Sequence, residues 1–76
     1  MNKLRNTEQL TKLGNRLRML RNSKKLTLEQ LAFAAEVELS QIYRIETAKI
    51  NPTYTTLLAL AAALEMPISE LVSVTD

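Results

Sequence analysis

Apolar residues recur along most of this chain at spacings of three and four, the signature of helices that each bury one stripe. Leu10, Leu13, Leu17 and Leu20 form a first stripe that runs through about residue 22. Leu28, Leu31, Ala32 and Ala35 form a second, and Ile42 with Ile45 marks a third. Leu57, Leu58, Leu60, Ala61 and Leu64 form a fourth, apolar on more than one face and so expected at the centre of the core. Ile68, Leu71 and Val72 complete a short fifth helix that starts at Pro67. No alternating apolar–polar run predicts a strand.

Start and stop signals sharpen these helices. Thr7 is a candidate N-cap for the first, with Glu8 in its favourable first turn. Gly14 sits inside that helix at a cost of about 1 kcal/mol against alanine, which points to a close contact with a neighbouring helix. Residues 1–6 carry no packing face and are expected to be a flexible N-terminus, leaving 7–76 as one domain. Thr27 and Gln30 have the spacing of a capping box, and Leu26 with Leu31 that of a hydrophobic staple. Val37 and Ile42 repeat the staple around Glu38, with Gln41 at the third helical position. Asn51-Pro52 breaks the chain, and Thr53 can cap the fourth helix.

The stretch from Thr27 to Glu46 therefore writes two short amphipathic helices joined by a tight turn. Helices that close together must fold back at a steep angle, which Ala32, Ala34 and Ala35 accommodate by letting the backbones approach. This geometry lets a second helix stand out from a small protein and enter a groove in DNA. With Ile42 and Ile45 facing in, helical geometry puts Leu39, Ser40, Tyr43, Arg44 and Thr47 on the opposite side. For an isolated helix that face would be ordinary solvated surface; the turn before it favours a reading face.

Composition narrows the chemistry. The 76 residues contain no Cys and no His, which excludes disulfides, thiolate chemistry and His-based acid–base work and makes a metal site untenable. A single glycine cannot build a phosphate loop, and no His activates Ser23, Ser40, Ser69 or Ser73, so no enzyme and no cofactor are expected. No apolar run approaches the length of a membrane span, and residues 1–13 are too polar for a signal peptide, so the expectation is a soluble, cytoplasmic protein without a membrane partner. Net charge is only +2, yet residues 1–25 hold eight cations against Glu8, a balance of +7, and the remainder balances at −5. Such asymmetry fits a polyanion partner, pairing between the two segments, or a solvated basic face.

In order, the pieces LGNRLRMLR, LTLEQLA, IYRIE, NPTYTTLLALAAAL and ISELV resemble the helix-turn-helix domains of the Xre/Cro family of bacterial and phage repressors, over about Leu13 to Val72. The resemblance implies an all-α fold: a compact five-helix, lambda-repressor-like DNA-binding domain with its helix-turn-helix at helices 2 and 3, about Leu28–Ala35 and Leu39–Glu46. It implies that Leu39, Ser40, Tyr43 and Arg44 meet double-stranded DNA in the major groove. Arg44 would donate two bonds to guanine, Ser40 would bond to several bases, Leu39 would contact a thymine methyl, and Tyr43 would pack on the sugar-phosphate backbone. Lys49, Asn51, Thr53 and Tyr54, with the amides at Thr27 and Leu28, would hold phosphates, and Arg16 is a further backbone candidate. It also implies an ion pair between Arg21 and Glu46.

The chain departs from the family pattern in places. Leu28 replaces a glutamine that usually faces DNA. Glu36, Lys25 and Glu65 stand where glycines are common, so left-handed turn residues there would be mildly strained. Glu38 replaces a capping Ser or Thr and would lie near phosphates. Taken together, the expectation is a sequence-specific transcriptional regulator, a repressor in kind, acting as a homodimer on a two-fold operator. Ile68, Leu71, Val72 and Val74 are its candidate interface residues, their plainer reading being a final core helix. The alternative is a protein-interaction module such as the antitoxin of a toxin–antitoxin pair. No second domain is evident to hold a small-molecule effector.

Overall fold

A computed structural model describes residues 6–74, and among them it contains five helices and no strand. These are α1 (Thr7–Ser23), α2 (Leu28–Ala35), α3 (Leu39–Glu46), α4 (Tyr54–Ala63) and α5 (Ile68–Leu71). Of the N-terminal stretch expected to be flexible, residues 1–5 lie outside the described residues, while Asn6 stands just before the helix. Asn6, not Thr7, is the N-cap: its side chain accepts from the Gln9 amide at 3.0 Å, which puts Thr7 at the first helical position. Thr27 and Gln30 close a complete capping box on α2, and Thr53 caps α4. Glu38 precedes α3 without any side-chain cap bond, and Gln41 reaches instead towards the Thr56 hydroxyl of α4 at 3.5 Å.

The first four helices all end in one kind of closure. A residue one or two places past the end takes a left-handed φ near 60°, and the amide that follows bonds back five residues, as Leu26 does to Arg21 and Val37 to Ala32. Lys25, Glu36, Ala48 and Glu65 occupy these sites, each bearing a Cβ where glycine is the relaxed choice. In three of them the next residue, Leu26, Val37 or Met66, packs against the core and holds the turn in place. Lys49 follows Ala48 and is exposed, so that turn has no such anchor.

α1 packs on α3 and α5, α2 on α3 and α4, and α4 on α5. The shared core is aliphatic, built around Leu17, Leu31, Ile42, Ile45, Leu60, Leu64 and Leu71, all essentially solvent-free. No aromatic ring enters it: Phe33, Tyr43 and Tyr54 are all exposed. Leu58, expected in the buried stripe of α4, is 39% exposed. Leu57, Leu60, Ala61 and Leu64 already complete an inward stripe at i, i+3, i+4 and i+7, and Leu58 falls about 100° away from Leu57.

α1 meets α3 at Gly14, which is buried. A Cβ built there would stand 2.5 Å from the Ile45 carbonyl oxygen and 2.7 Å from that of Glu46. The helix interior tolerates glycine because no other residue lets the last turn of α3 come so close.

Candidate nucleic-acid interface

α3 divides cleanly into two faces. Ile42, Ile45 and Glu46 are buried, while Leu39, Ser40, Tyr43 and Arg44 are exposed. The two isoleucines hold the helix by burying their side chains, each stabilising by roughly 1.5–3 kcal/mol. The opposite side then presents an aliphatic group, a hydroxyl, a phenol and a guanidinium to solvent. Thr47 is turned back: its hydroxyl donates to the Tyr43 carbonyl at 2.8 Å.

The end of α3 is gripped from α1. Glu46 is only 5% exposed. Arg21 meets its carboxylate with both prongs, Nε to Oε2 at 2.6 Å and Nη2 to Oε1 at 3.0 Å, and its Nη1 donates to the Leu26 carbonyl at 2.8 Å. The hydrogen bond to Glu46 raises the Arg21 pKa above the ordinary arginine value, overcoming the opposing effect of burial. Arg18 adds a second guanidinium, with Nη2 donating to the Glu46 carbonyl at 3.2 Å and Nε 3.5 Å from its Oε1. Arg16 turns instead to α5, where Nε and Nη2 donate to the Glu70 carbonyl at 3.0 and 2.7 Å. All three arginines of α1 therefore bind carbonyl or carboxylate oxygens of the protein itself. Of the readings open for the charge asymmetry, pairing between segments accounts for Arg18 and Arg21, which share Glu46, while Arg16 meets a neutral carbonyl. Arg16, a candidate for the DNA backbone, already has a partner.

The starts of α2 and α4 hold the remaining backbone candidates. At α2 the Thr27 amide donates to the Gln30 side chain at 2.8 Å, so it is not available to a phosphate while the box is closed. The amide of Leu28 is among those that helix geometry leaves without an intrahelical acceptor, and the Leu28 side chain itself packs against the core. At α4 the Thr53 hydroxyl is engaged with Thr56, whereas Tyr54 is 65% exposed at the first helical position. Lys49 is exposed, and its amide closes α3 by donating to the Arg44 carbonyl at 2.7 Å; Asn51 is also exposed.

The chain matches the helix-turn-helix domain family model over residues 12–73, which spans all but the first turn of α1 together with every later helix. The chain belongs to the Xre/Cro-type helix-turn-helix family. Among curated proteins it is 38% identical over 60 residues to the immunity repressor protein of Bacillus phage phi105, covering 79% of this chain and 42% of that one. The chain thus spans under half the length of that relative. Among solved structures it resembles the restriction-modification controller protein C.AhdI from Aeromonas hydrophila, with a TM-score of 0.83, 38% identity, and coverage of 84% of this chain and 97% of that one. It also resembles an HTH_3 family transcriptional regulator from Vibrio cholerae, with a TM-score of 0.82, 29% identity, and coverage of 86% of this chain and 36% of that one.

Within this helix-turn-helix family member, the C-terminal candidates for an interface separate. Leu71 is fully buried and cannot meet a second subunit, and Ile68 packs against the same core. Val72 is 39% exposed and Val74 is half-buried. Three features were not read as site residues from the sequence. Arg18 looked like one more cation on a basic helix. Phe33 continues the apolar count of α2 but lies off its inward stripe, 88% exposed. Ala48 carries no local sign of its left-handed backbone.

Proposed function

We propose that this chain is a sequence-specific DNA-binding transcriptional regulator, a repressor in kind, that inserts α3 into the major groove of double-stranded DNA. The observation that carries the reading is the partition of α3: an aliphatic and ion-paired inner face, and an outer face of Leu39, Ser40, Tyr43 and Arg44 with no burial to explain it. Arg44 would read guanine through two bonds, Ser40 a base edge, Leu39 a thymine methyl, and Tyr43 the sugar-phosphate backbone. Lys49, Asn51 and Tyr54, with the open amides of α2 and α4, would fix the register on phosphates. The phage relative named an immunity repressor supports the sense of regulation. A regulator of this kind would work in the cytoplasm, beside the DNA.

One eight-residue helix reads few bases, so the active form would be a homodimer on a two-fold operator. Its contact would use Val72 and Val74, with Leu58 exposed on α4 as a further apolar group.

Selection from random DNA with salt titration tests this. Enrichment of one sequence, with affinity falling steeply as salt rises, is the expected result. Arg44→Ala should cost roughly 1–3 kcal/mol on the selected sequence and relax the preference at one base. Lys49→Ala should weaken all sequences alike and lower the salt slope by about 1. Sedimentation that finds a monomer at high concentration would remove the dimer. If no DNA is enriched even at low salt, the interaction-module reading takes over. The exposed Phe33, with Glu29 and Glu36 also exposed at α2 and its closing turn, is the feature that favours it.

A further inference from the structure

α3 ends with four carbonyls that its own helix cannot satisfy, those of Tyr43, Arg44, Ile45 and Glu46. The chain that follows closes three of them: the amide of Thr47 bonds to Tyr43, that of Lys49 to Arg44 and that of Ala48 to Ile45. The fourth, on Glu46, receives Arg18 Nη2 at 3.2 Å from another helix. Gly14, Arg18 and Arg21 lie at i, i+4 and i+7 on α1 and all meet the last turn of α3. Gly14 makes room for the backbone, Arg21 holds the carboxylate, and Arg18 bridges carboxylate and carbonyl.

We infer that Arg18 is a positioning residue for DNA reading: it caps the last carbonyl of α3 and so fixes how the chain leaves that helix into residues 47–53. This rests on the proposal that α3 enters DNA. The loop it orients carries Lys49 and Asn51, so Arg18 sets the base-reading face and the phosphate-holding loop in register. It makes no contact with DNA in this role. The rival role is a direct phosphate ligand, since the side chain is 46% exposed on a basic helix. The two differ in geometry. A phosphate accepts any nearby cation, whereas bridging a carbonyl and a carboxylate needs the planar fork that lysine lacks.

The test compares Arg18→Leu and Arg18→Lys with the wild-type chain in two measurements. One is the amide spectrum of the free protein at residues 46–50. The other is affinity for DNA selected from a random pool, taken across a salt series. Both variants should shift those amides and lose about tenfold in affinity for the selected DNA, with the salt slope unchanged. A slope reduced by about 0.9 in Arg18→Leu, with affinity recovered in Arg18→Lys, makes Arg18 a phosphate ligand and overturns the inference. Unmoved amides, or shifted amides with undiminished affinity, overturn it as well. If Arg18→Leu fails to fold, Arg18→Lys keeps the stem and charge and decides alone. If the wild type selects no DNA, the reading of α3 itself fails, and the amide arm still reports whether Arg18 caps the helix.

Discussion

Replacing Gly14 by alanine sets two effects of opposite sign against each other. In a free helix alanine would be favoured by about 1 kcal/mol. Here the new Cβ would lie 2.5 Å from the Ile45 oxygen, 2.7 Å from the Glu46 oxygen and 3.0 Å from the Glu46 carbonyl carbon. All three are backbone atoms, so no rotamer change relieves the crowding. Restoring a contact of 3.4 Å moves the end of α3 by about 0.9 Å and stretches the 2.6 Å bond between Arg21 and Glu46. Overpacking of this kind costs roughly 1–3 kcal/mol, and a weakened buried ion pair adds to it. After the helix-propensity gain is subtracted, the variant should be less stable by about 1–3 kcal/mol, roughly 5–20 °C in Tm for a domain of this size. Thermal unfolding by far-UV circular dichroism measures it, with Thr11→Ala on the exposed side of α1 as the propensity control. If Gly14→Ala melts at or above the wild-type temperature, the seat between α1 and α3 is loose and the reasoning is wrong.

Ala48→Gly should act the other way, because φ is 60° there and the residue that follows, Lys49, is exposed; a gain of about 0.5–1 kcal/mol is expected, and an unchanged or lower Tm would contradict it. Glu46→Ala strands Arg21, whose side chain is only 12% exposed, and should cost about 2–4 kcal/mol by chemical denaturation. The raised Arg21 pKa makes its share of stability complete below the ordinary arginine value and lost only as pH rises past the higher folded value, so Arg21 should contribute no step to melts taken from about pH 5 to 9. Thr27→Ala opens the capping box and should cost about 1 kcal/mol, with amide exchange faster in the first turn of α2 than elsewhere.

What could be read in the sequence is what depends on near neighbours. A capping box uses residues three apart, and the two faces of α3 follow from helical geometry. Thr27 with Gln30, and Ile42 with Ile45 against Ser40 and Arg44, were therefore visible before any fold existed. The destinations of the α1 arginines were not, apart from the Arg21 pair that the family resemblance implied. Arg18 reaches a partner 28 residues away and Arg16 one 54 away, and charge counting does not say which helix lies across from which. Leu71 shows the same gap: it sits in a short apolar run, and only the placement of α5 against α1 and α4 buries it. The turn at Ala48 escaped because Lys25, Glu36 and Glu65 were marked only by the glycines common at those places in the family, and Ala48 carried no such mark.

The wholly aliphatic core makes this protein's interior optically silent. With no tryptophan and with Tyr43 and Tyr54 both outward, tyrosine emission samples α3 and the start of α4 rather than packing. At one temperature, loss of the leucine core would reach that light only indirectly, through two rings that do not pack in it. A ligand laid over either tyrosine would alter it at once, so the chain carries its own reporter of what touches its outer face, needing no attached dye.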